Sequence, residues 1–371
     1  MKHKLIVGTG FIGVLLVCAV RAFPSGTEGR IYKPIPAQEK ELEIDHGLRK
    51  VDFLKGERHS EDVIKAEQDG ALGAITLKVV DQTGHVVSNA TVQGGFYNHG
   101  KSGYGFKKTV GANGLVELKN RCVGDMHFTI EKDGYYKTSY TYRFLKAWHD
   151  CAKNGRWIPW NPTVEVILKR KVNPVAMYCK KVTVNIPEKE KDFGFDCMAG
   201  DLVRPHGNGR IADFYLNYSL VYDTNNVWNA TNHLTFTFGP HDGGVIMQAD
   251  ATSQMRTLYS APDGGYTNQI TFFLKSIDQM HQTKKVFEGG EYIIFRSRSE
   301  IDRQGNVTNA HFGKILGRSF WYGEKSKDGV GGRVIFSYYF NPKANDKSIE
   351  FDGVNNLFHP DWRDHDWPRA P

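Results

Sequence analysis

The chain has 371 residues, of which 40% are hydrophobic and 24% are charged. This composition excludes an intrinsically disordered protein, and the length is sufficient for two domains that each bury a core. The formal net charge of +7 is a mild excess for so large a surface. Because nucleic-acid binding requires a clustered basic face, the charge gives no support to a nucleic-acid partner.

Residues 1–22 have the pattern of a secretory signal peptide. Lys2 and Lys4 precede an uncharged apolar run over residues 5–20, and Ala22 offers a small residue at the cleavage position. A membrane span requires about 20 apolar residues, and this run is shorter. We therefore expect a protein that is secreted, periplasmic or in the cell envelope. The alternative is an uncleaved N-terminus that anchors the chain by one transmembrane segment, which is then its only predicted contact with a membrane.

Residues 23–70 are polar and charged and contain few large apolar side chains. We interpret them as a polar spacer between the export signal and the first domain; the alternative is an extension that packs on that domain. One short helix is predicted over residues 60–68, because Ser60 is a suitable N-cap and Gly70 a suitable stop.

Residues 71–171 are predicted to form the first domain. Short β-branched runs alternate with Gly, Asn and Asp over residues 73–136, which is typical of antiparallel strands joined by tight turns. Asp133 and Gly134 predict a hairpin turn between strands at residues 126–132 and 135–144. A long loop over residues 145–162 then precedes a last strand at residues 163–168.

A series of positions in this region matches a family pattern. Its members are Gly73, Ile75, Val79, Asp81, Gly84, Val87, Ala90, Val92, Asn113, Gly114, Leu118, Gly124, Phe128, Ile130, Gly134 and Tyr135. The region resembles the carboxypeptidase regulatory-like domain, a small transthyretin-like, Ig-like β-sandwich. The resemblance implies a fold and an accessory role without an activity, because this module is attached to many unrelated partners. Two departures are a Gly- and Tyr-rich insertion at residues 94–105 and the long loop at residues 145–162.

Residues 172–371 are predicted to form a second, β-rich domain of unknown function. Leu234, Phe236 and Phe238 alternate with threonine, and residues 214–222 and 334–340 repeat this alternation. Residues 291–301 and 307–316 predict a hairpin, and residues 273–287 a helix. The region is similar to the C-terminal regions of uncharacterised secreted bacterial proteins that also carry the regulatory-like module. The predicted fold class is mainly β: a sandwich followed by a second β-rich domain with at most a few short helices.

Four cysteines remain once the signal segment with Cys18 is removed. An even number in an exported chain predicts disulfides. Cys179 and Cys197 would lie opposite each other if residues 176–197 formed a hairpin centred near Glu188. Cys122 and Cys151 would then pair by default. The alternative is four reduced, buried thiols, since cysteine is often a small core residue.

The sequence contains no recognised catalytic set. The spacings of metallopeptidase ligands and of the G-x-S-x-G nucleophile are absent. Residues 95–102 fit the letters of a phosphate-binding loop, but Gly103 and Gly105 follow where a helix is required. We therefore predict no catalytic residue, no metal ligand and no cofactor.

Three tryptophans in and near the long loop are candidates for ligand contact. Trp148, Trp157 and Trp160 could form an aromatic platform that stacks on sugar rings, or they could fill a core. We expect a secreted or cell-envelope protein that is non-catalytic and serves binding, adhesion or structural display, with a glycan or another envelope component as its partner. The alternative is a secreted hydrolase acting on polysaccharide, with its site in residues 172–371. The sequence leaves the oligomeric state open.

Overall fold

The computed structural model describes residues 60–100, 104–146, 150–222, 230–250, 252–277, 281–285, 290–321, 332–361 and 368. These residues contain one α-helix and 21 strands, and the strands are arranged in four sheets. The predicted mainly-β fold class is confirmed. The signal segment, and all of the spacer up to residue 59, lie outside the described residues.

Helix α1 spans Glu61–Asp69, with Gly70 at its C-cap and Ser60 at the N-cap position, where the serine hydroxyl makes no capping hydrogen bond. Gly70 has a φ of 78°, which glycine adopts without steric cost and which stops the helix. Val63 and Ala66, three residues apart, lie on one face and are buried in the core of the first sandwich. The predicted helix is confirmed. Among the described residues, no helix is both long and apolar enough to cross a bilayer.

Residues 71–171 fold into two facing sheets. In the first sheet, the long central strand pairs antiparallel with one neighbour and parallel with two others. Its strands are β1 (Ala71–Asp81, central), β4 (Leu115–Cys122), β7 (Ala152–Lys153), β8 (Arg156–Trp157) and β9 (Thr163–Leu168). The second sheet is wholly antiparallel, in the order β3 (Gly105–Thr109), β2 (Thr91–Phe96), β5 (Asp125–Glu131) and β6 (Thr138–Arg143).

The core of this sandwich is formed by alternate residues of its strands. Ile75, Leu77 and Val79 of β1 are buried against Met126 and Phe128 of β5, as the two-residue period of a strand requires. The turn predicted at Gly134 joins β5 to β6 and has a φ of 78° at that glycine. The predicted last strand at residues 163–168 is also present, as β9.

The described residues from 172 onward form a larger sandwich of two six-stranded sheets. The first has the order β15 (Gly243–Gln248), β18 (Glu291–Ile301), β19 (Val307–Trp321), β20 (Gly332–Asn341), β10 (Val175–Ile186) and β21 (Phe351–Asn356). The second has the order β12 (Asp201–Leu202), β11 (Phe193–Asp196), β13 (Phe214–Tyr222), β14 (Ala230–Thr237), β16 (Gln269–Ile277) and β17 (His281–Lys285). The predicted hairpin of residues 291–301 and 307–316 is confirmed as β18 and β19.

An aromatic cluster fills the space between these two sheets. Phe195 and Phe214 stack with ring centroids 5.3 Å apart, and Phe336 meets both rings edge-on. Phe236 extends the cluster along the same core. Edge-to-face and offset contacts of this kind stabilise a core beyond the area that they bury.

The helix predicted over residues 273–287 is wrong, because the chain there forms β16 and β17. Ile270 and Phe272 are buried and alternate with exposed neighbours. Residues 269–276 of β16 pair with β14, and residues 273–277 pair with β17. Apolar residues in a short run satisfy a helical and an extended period almost equally. The hydrogen bonds to β14 on one side and β17 on the other decide the outcome.

Polar contacts join the two sandwiches. The backbone of Thr252 and Gln254 bonds to Ser139 and Lys137 beside β6, so this loop extends the sheet of the first sandwich. Glu350 is fully buried and accepts hydrogen bonds from the Tyr136 hydroxyl at 2.7 Å and from two backbone N–H groups. Residues 57–371 accordingly form one compact unit.

Candidate binding face

The outward face of the β3-β2-β5-β6 sheet carries polar side chains and glycines. Since Val92, Met126 and Phe128 point into the core, the residues between them point outward. We call this outward surface the binding face, and it consists of Gln93, Gly95, Gly105, Lys107, His127, Thr129, Ser139 and Thr141. These residues line an open groove of about 710 Å³.

Two glycines form the floor of the groove. Gly95 of β2 and Gly105 of β3 lie directly opposite each other in the strand register, and His127 and Thr141 continue the same row across β5 and β6. A Cβ added to either glycine would meet backbone atoms only at ordinary contact distances of 3.6 Å or more. These two positions therefore leave room above the sheet because they carry no side chain.

The walls of the groove are hydrogen-bonding groups. The next row across the sheet is Lys107, Gln93, Thr129 and Ser139. His127 Nδ1 lies 2.8 Å from Thr141 Oγ1, and this hydrogen bond links the imidazole to the neighbouring strand. Tyr97 follows Gly95 by two residues and is 51% exposed, so the strand period predicts an aromatic ring at the end of the same face.

The described residues that line this groove carry several kinds of hydrogen-bonding group. These described residues include amide, hydroxyl, imidazole and ammonium groups but no carboxylate and no thiol. A glycosidase requires a pair of carboxyl groups at the reacting bond. Hydroxyl and amide groups beside an exposed aromatic ring are instead what a sugar ring requires for hydrogen bonds and stacking.

Of the three tryptophans considered for an aromatic platform, the structure describes Trp157 and Trp160. Trp157 is fully buried, and its indole N–H donates to the Cys122 carbonyl at 3.0 Å, so this ring belongs to the core. Trp160 is 36% exposed, but Arg156 and Lys119 lie over its ring at 4.9 and 5.3 Å from the centroid. Trp148 lies outside the described residues. For Trp157 the platform is therefore wrong, because β8 turns that side chain inward.

The predicted disulfides are absent from the structure. Cys122, Cys151, Cys179 and Cys197 are all free and buried. The hairpin proposed to bring Cys179 and Cys197 together does not form: β10 and β11 belong to different sheets. Cys197 lies in the main core between the sheets, whereas Cys179 points to the opposite face of β10 and packs with Met177 and Phe351. The alternative of four buried thiols describes the structure.

We expect alkylation to detect all four thiols. In denaturant without a reductant, iodoacetamide should modify Cys122, Cys151, Cys179 and Cys197, as read by peptide mass spectrometry. In native buffer the same sites should react slowly, because burial excludes the reagent and raises the pKa of Cys122 to about 12. Recovery of any two of these peptides joined by a disulfide would contradict the structure.

Two carboxylates of the second sandwich converge on one arginine. Arg298 donates to Asp213 at 2.8 and 2.9 Å and to Asp196 at 3.0 Å. Burial tends to raise the pKa of Asp196, but hydrogen bonds from the backbone N–H of Arg210 and Ile211 and the charge of Arg298 lower it overall. A general acid requires a raised pKa. This cluster therefore has the chemistry of a structural ion pair.

Sequence reasoning missed the binding face, although one signal was present. The Gly-rich stretch at residues 94–105 was interpreted as an inserted loop, whereas the structure places residues up to Phe96 in β2 and those from Gly105 in β3. Only the register brings Gly95 and Gly105 together. Alternation of Gln93, Gly95 and Tyr97 was the signal that could have identified an outward face.

In comparisons with known proteins, this chain matches a few solved structures. No family model matches the chain, and no curated protein matches it. One solved structure that matches is 3-chlorocatechol 1,2-dioxygenase from Rhodococcus opacus 1CP, with 13% identity over 30% of this chain and 63% of that one, and a TM-score of 0.23. A second is a mutant catechol 1,2-dioxygenase from Acinetobacter radioresistens, with 14% identity over 29% of this chain and 55% of that one, and a TM-score of 0.23.

The major pilin subunit of Bacillus cereus also matches, with 11% identity over 73% of this chain and 85% of that one, and a TM-score of 0.20. The chain spans only 63% and 55% of the lengths of the two dioxygenases. Because all three TM-scores are below 0.5, these similarities carry no argument about function. The function has to be argued from the binding face itself.

Proposed function

We propose that this chain is an exported, non-catalytic binding protein that holds a glycan of the cell envelope or its surroundings on the binding face. The observation that carries the proposal is the glycine-floored groove, in which Gly95 and Gly105 leave room above the sheet for a ligand. The signal-like pattern of residues 1–22 supports export.

The groove has the recognition chemistry of a sugar site. Gln93, Thr129, Ser139 and Thr141 offer both donors and acceptors, which match the hydroxyls of a sugar. Tyr97 supplies an exposed ring, and aromatic rings pack on the apolar face of a sugar. Strands of the sheet present the four polar side chains, and Tyr97 directly follows β2, so little conformational entropy of the polar groups is lost on binding.

Gly95→Val tests the site. The valine Cβ meets no atom closer than 3.6 Å, and β-branched residues favour strands, so the fold should tolerate it. We expect the melting temperature to be unchanged or slightly raised. Binding should fall at least tenfold, because the new methyl groups occupy the floor of the groove.

The measurement is a screen on a glycan array and on insoluble chitin, cellulose and peptidoglycan, followed by calorimetry with the retained glycan. Thr91→Val is the matched control: it lies on the same strand and the same face, but outside the groove. Retention that Gly95→Val does not weaken would place the site elsewhere. No retention of any glycan by the wild type would refute the proposed function.

A further inference from the structure

A second feature of the molecule concerns one edge of the large sandwich. Strand β10 pairs with β20 over the whole run from Tyr178 to Ile186 without a register shift. On its other side it pairs with β21 only at Val175 and Met177. Beyond Cys179, the described residues place no strand on that side of β10.

The hydrogen bonds of the paired part show which backbone groups face the open side. Val175 N–H donates to the Glu350 carbonyl, Met177 C=O accepts from Leu357 N–H, and Cys179 is bonded through both its N–H and its C=O to the Asn356 side chain. Backbone groups alternate in direction along a strand. Since the pairing with β20 is regular, the N–H and C=O groups of Lys181, Thr183 and Asn185 point the same way.

No described residue satisfies the backbone groups at these three positions on the open side. They face a cleft of about 530 Å³ between β10 and the β11–β12 segment. The cleft closes at one end, where Phe358 packs on Tyr178 with ring centroids 5.0 Å apart. From Lys180 to Ile186 the open edge runs for about 20 Å, which is the length of an ordinary strand.

The two sides of the cleft differ in chemistry. Val182 and Val184 of β10 and Leu202 of β12 are 5 to 6% exposed and form an apolar inner lip. The outer rim is cationic: Lys181 is exposed on the edge strand, and Arg333 bonds to Asn185, whereas Lys180 lies on the inner side with its Nζ 5.9 Å from the centroid of the Phe358 ring. Among the described residues that line the cleft, Asp201 is the one carboxylate, and it accepts hydrogen bonds from Asn208.

We propose that this edge accepts an extended, acidic peptide segment, which adds to β10 as a further strand. The three open backbone positions supply its main-chain hydrogen bonds. Its apolar side chains would alternate toward Val182 and Val184, and its carboxylates would face Lys181 and Arg333 on the outer side. Lysines on an open edge oppose pairing between two copies of the same strand, so the charge favours an acidic partner over a second copy of this chain.

Thr183→Pro isolates the edge. Proline removes the N–H that points into the cleft, while the bonds from Val182 and Val184 to β20 remain, and proline is tolerated at the open side of an edge strand. The probe is a fluorescent seven-residue peptide of alternating glutamate and valine, and its counterpart alternates lysine and valine. We expect fluorescence anisotropy to show binding of the acidic peptide at least tenfold tighter than the lysine peptide, and at least tenfold weaker binding by Thr183→Pro.

Two further variants and a hydrogen-exchange experiment test the proposal if Thr183→Pro fails to fold. Thr183→Ala keeps the N–H and should bind as the wild type does, while Lys181→Glu changes one exposed side chain and should weaken binding of the acidic peptide. Hydrogen exchange by NMR should show fast amide exchange at Lys181, Thr183 and Asn185, and its suppression by the acidic peptide. Equal binding of both peptides, no binding of either, or sedimentation showing that copies of the chain pair through this edge would overturn the proposal.

Discussion

Replacing Lys314 with methionine should raise the free energy of unfolding at pH 7 by about 2–3 kcal/mol. The Lys314 side chain is fully buried; its Nζ donates to Thr257 Oγ1 at 2.9 Å and lies 4.6 Å from the centroid of the Tyr339 ring. Burial lowers the pKa of Lys314 from 10.5 to about 7 in spite of the nearby Cys179 and Glu350. Holding this amine in the core therefore opposes folding.

The sign of the pH dependence follows from that shift. Above pH 10.5 the amine is neutral in both states and costs nothing; as the pH falls toward 7, only the unfolded chain binds the proton, and the native state loses up to about 5 kcal/mol. Methionine removes this loss but also removes the hydrogen bond and the cation–π contact, each worth about 1 kcal/mol. Thr257 keeps a partner, because its hydroxyl also donates to the Leu258 carbonyl.

Urea denaturation from pH 6 to pH 10 measures this effect. The wild type should become more stable as the pH rises, whereas Lys314→Met should lack that component, so that the two curves converge near pH 10. Lys343→Met is the control, since that lysine is exposed and its removal should shift stability by less than about 1 kcal/mol at every pH. A Lys314→Met variant less stable than the wild type at pH 6 would show that the ammonium is well solvated in the native state.

Removing the guanidinium of Arg298 should lower the free energy of unfolding by about 3–5 kcal/mol, which is the largest destabilisation that we predict for this protein. Arg298→Ala leaves Asp196 and Asp213 buried without their cation, and breaking a buried pair from one side costs this much. The guanidinium also lies over the Phe340 ring, 5.2 Å from its centroid. Because Arg298 itself has a left-handed φ of 53°, Arg298→Gly should recover a small part of the loss.

Acid denaturation gives a second measure of the same cluster. The lowered pKa of Asp196 contributes stability that is present above its ordinary pKa near 4 and is lost as the pH falls below it. In Arg298→Ala that contribution should shrink, and the midpoint of acid unfolding should move to higher pH. Arg296→Ala is the matched control. This arginine donates to the His241 carbonyl, so its loss leaves none of the described carboxylates without its cation. Equal effects of the two substitutions would contradict the ion-pair argument.

Local features of the fold could be predicted from the sequence because they depend on neighbouring residues. The stop at Gly70 ends α1, and the turns near Gly134 and Asp302 fixed two hairpins. Strict alternation in residues 214–222 predicted a strand with one buried face, and β13 is that strand. Each of these signals is short-range and has one structural solution.

Partners far apart in the chain could not be predicted in this way. Cys179 and Cys197 are 18 residues apart, yet β10 pairs with β20, which lies more than 140 residues later. The same limit hid the burial of Trp157, which depends on the parallel contact of β8 with β1. The amphipathic spacing in residues 273–287 is compatible with a helix, but the hydrogen bonds to β14 make this part of the chain a strand.

The sequence by itself determined that the described chain folds as layered β-sheets with one short helix, since periodicity and turn chemistry depend on neighbouring residues. The tertiary structure alone decided which residues share a surface or a core. It placed Gly95 beside Gly105 on an open face, left the edge of β10 unpaired beyond Cys179, and enclosed Lys314 completely. The physical reason is that register and sheet order are set by the summed burial of many distant side chains, so no local pattern specifies them.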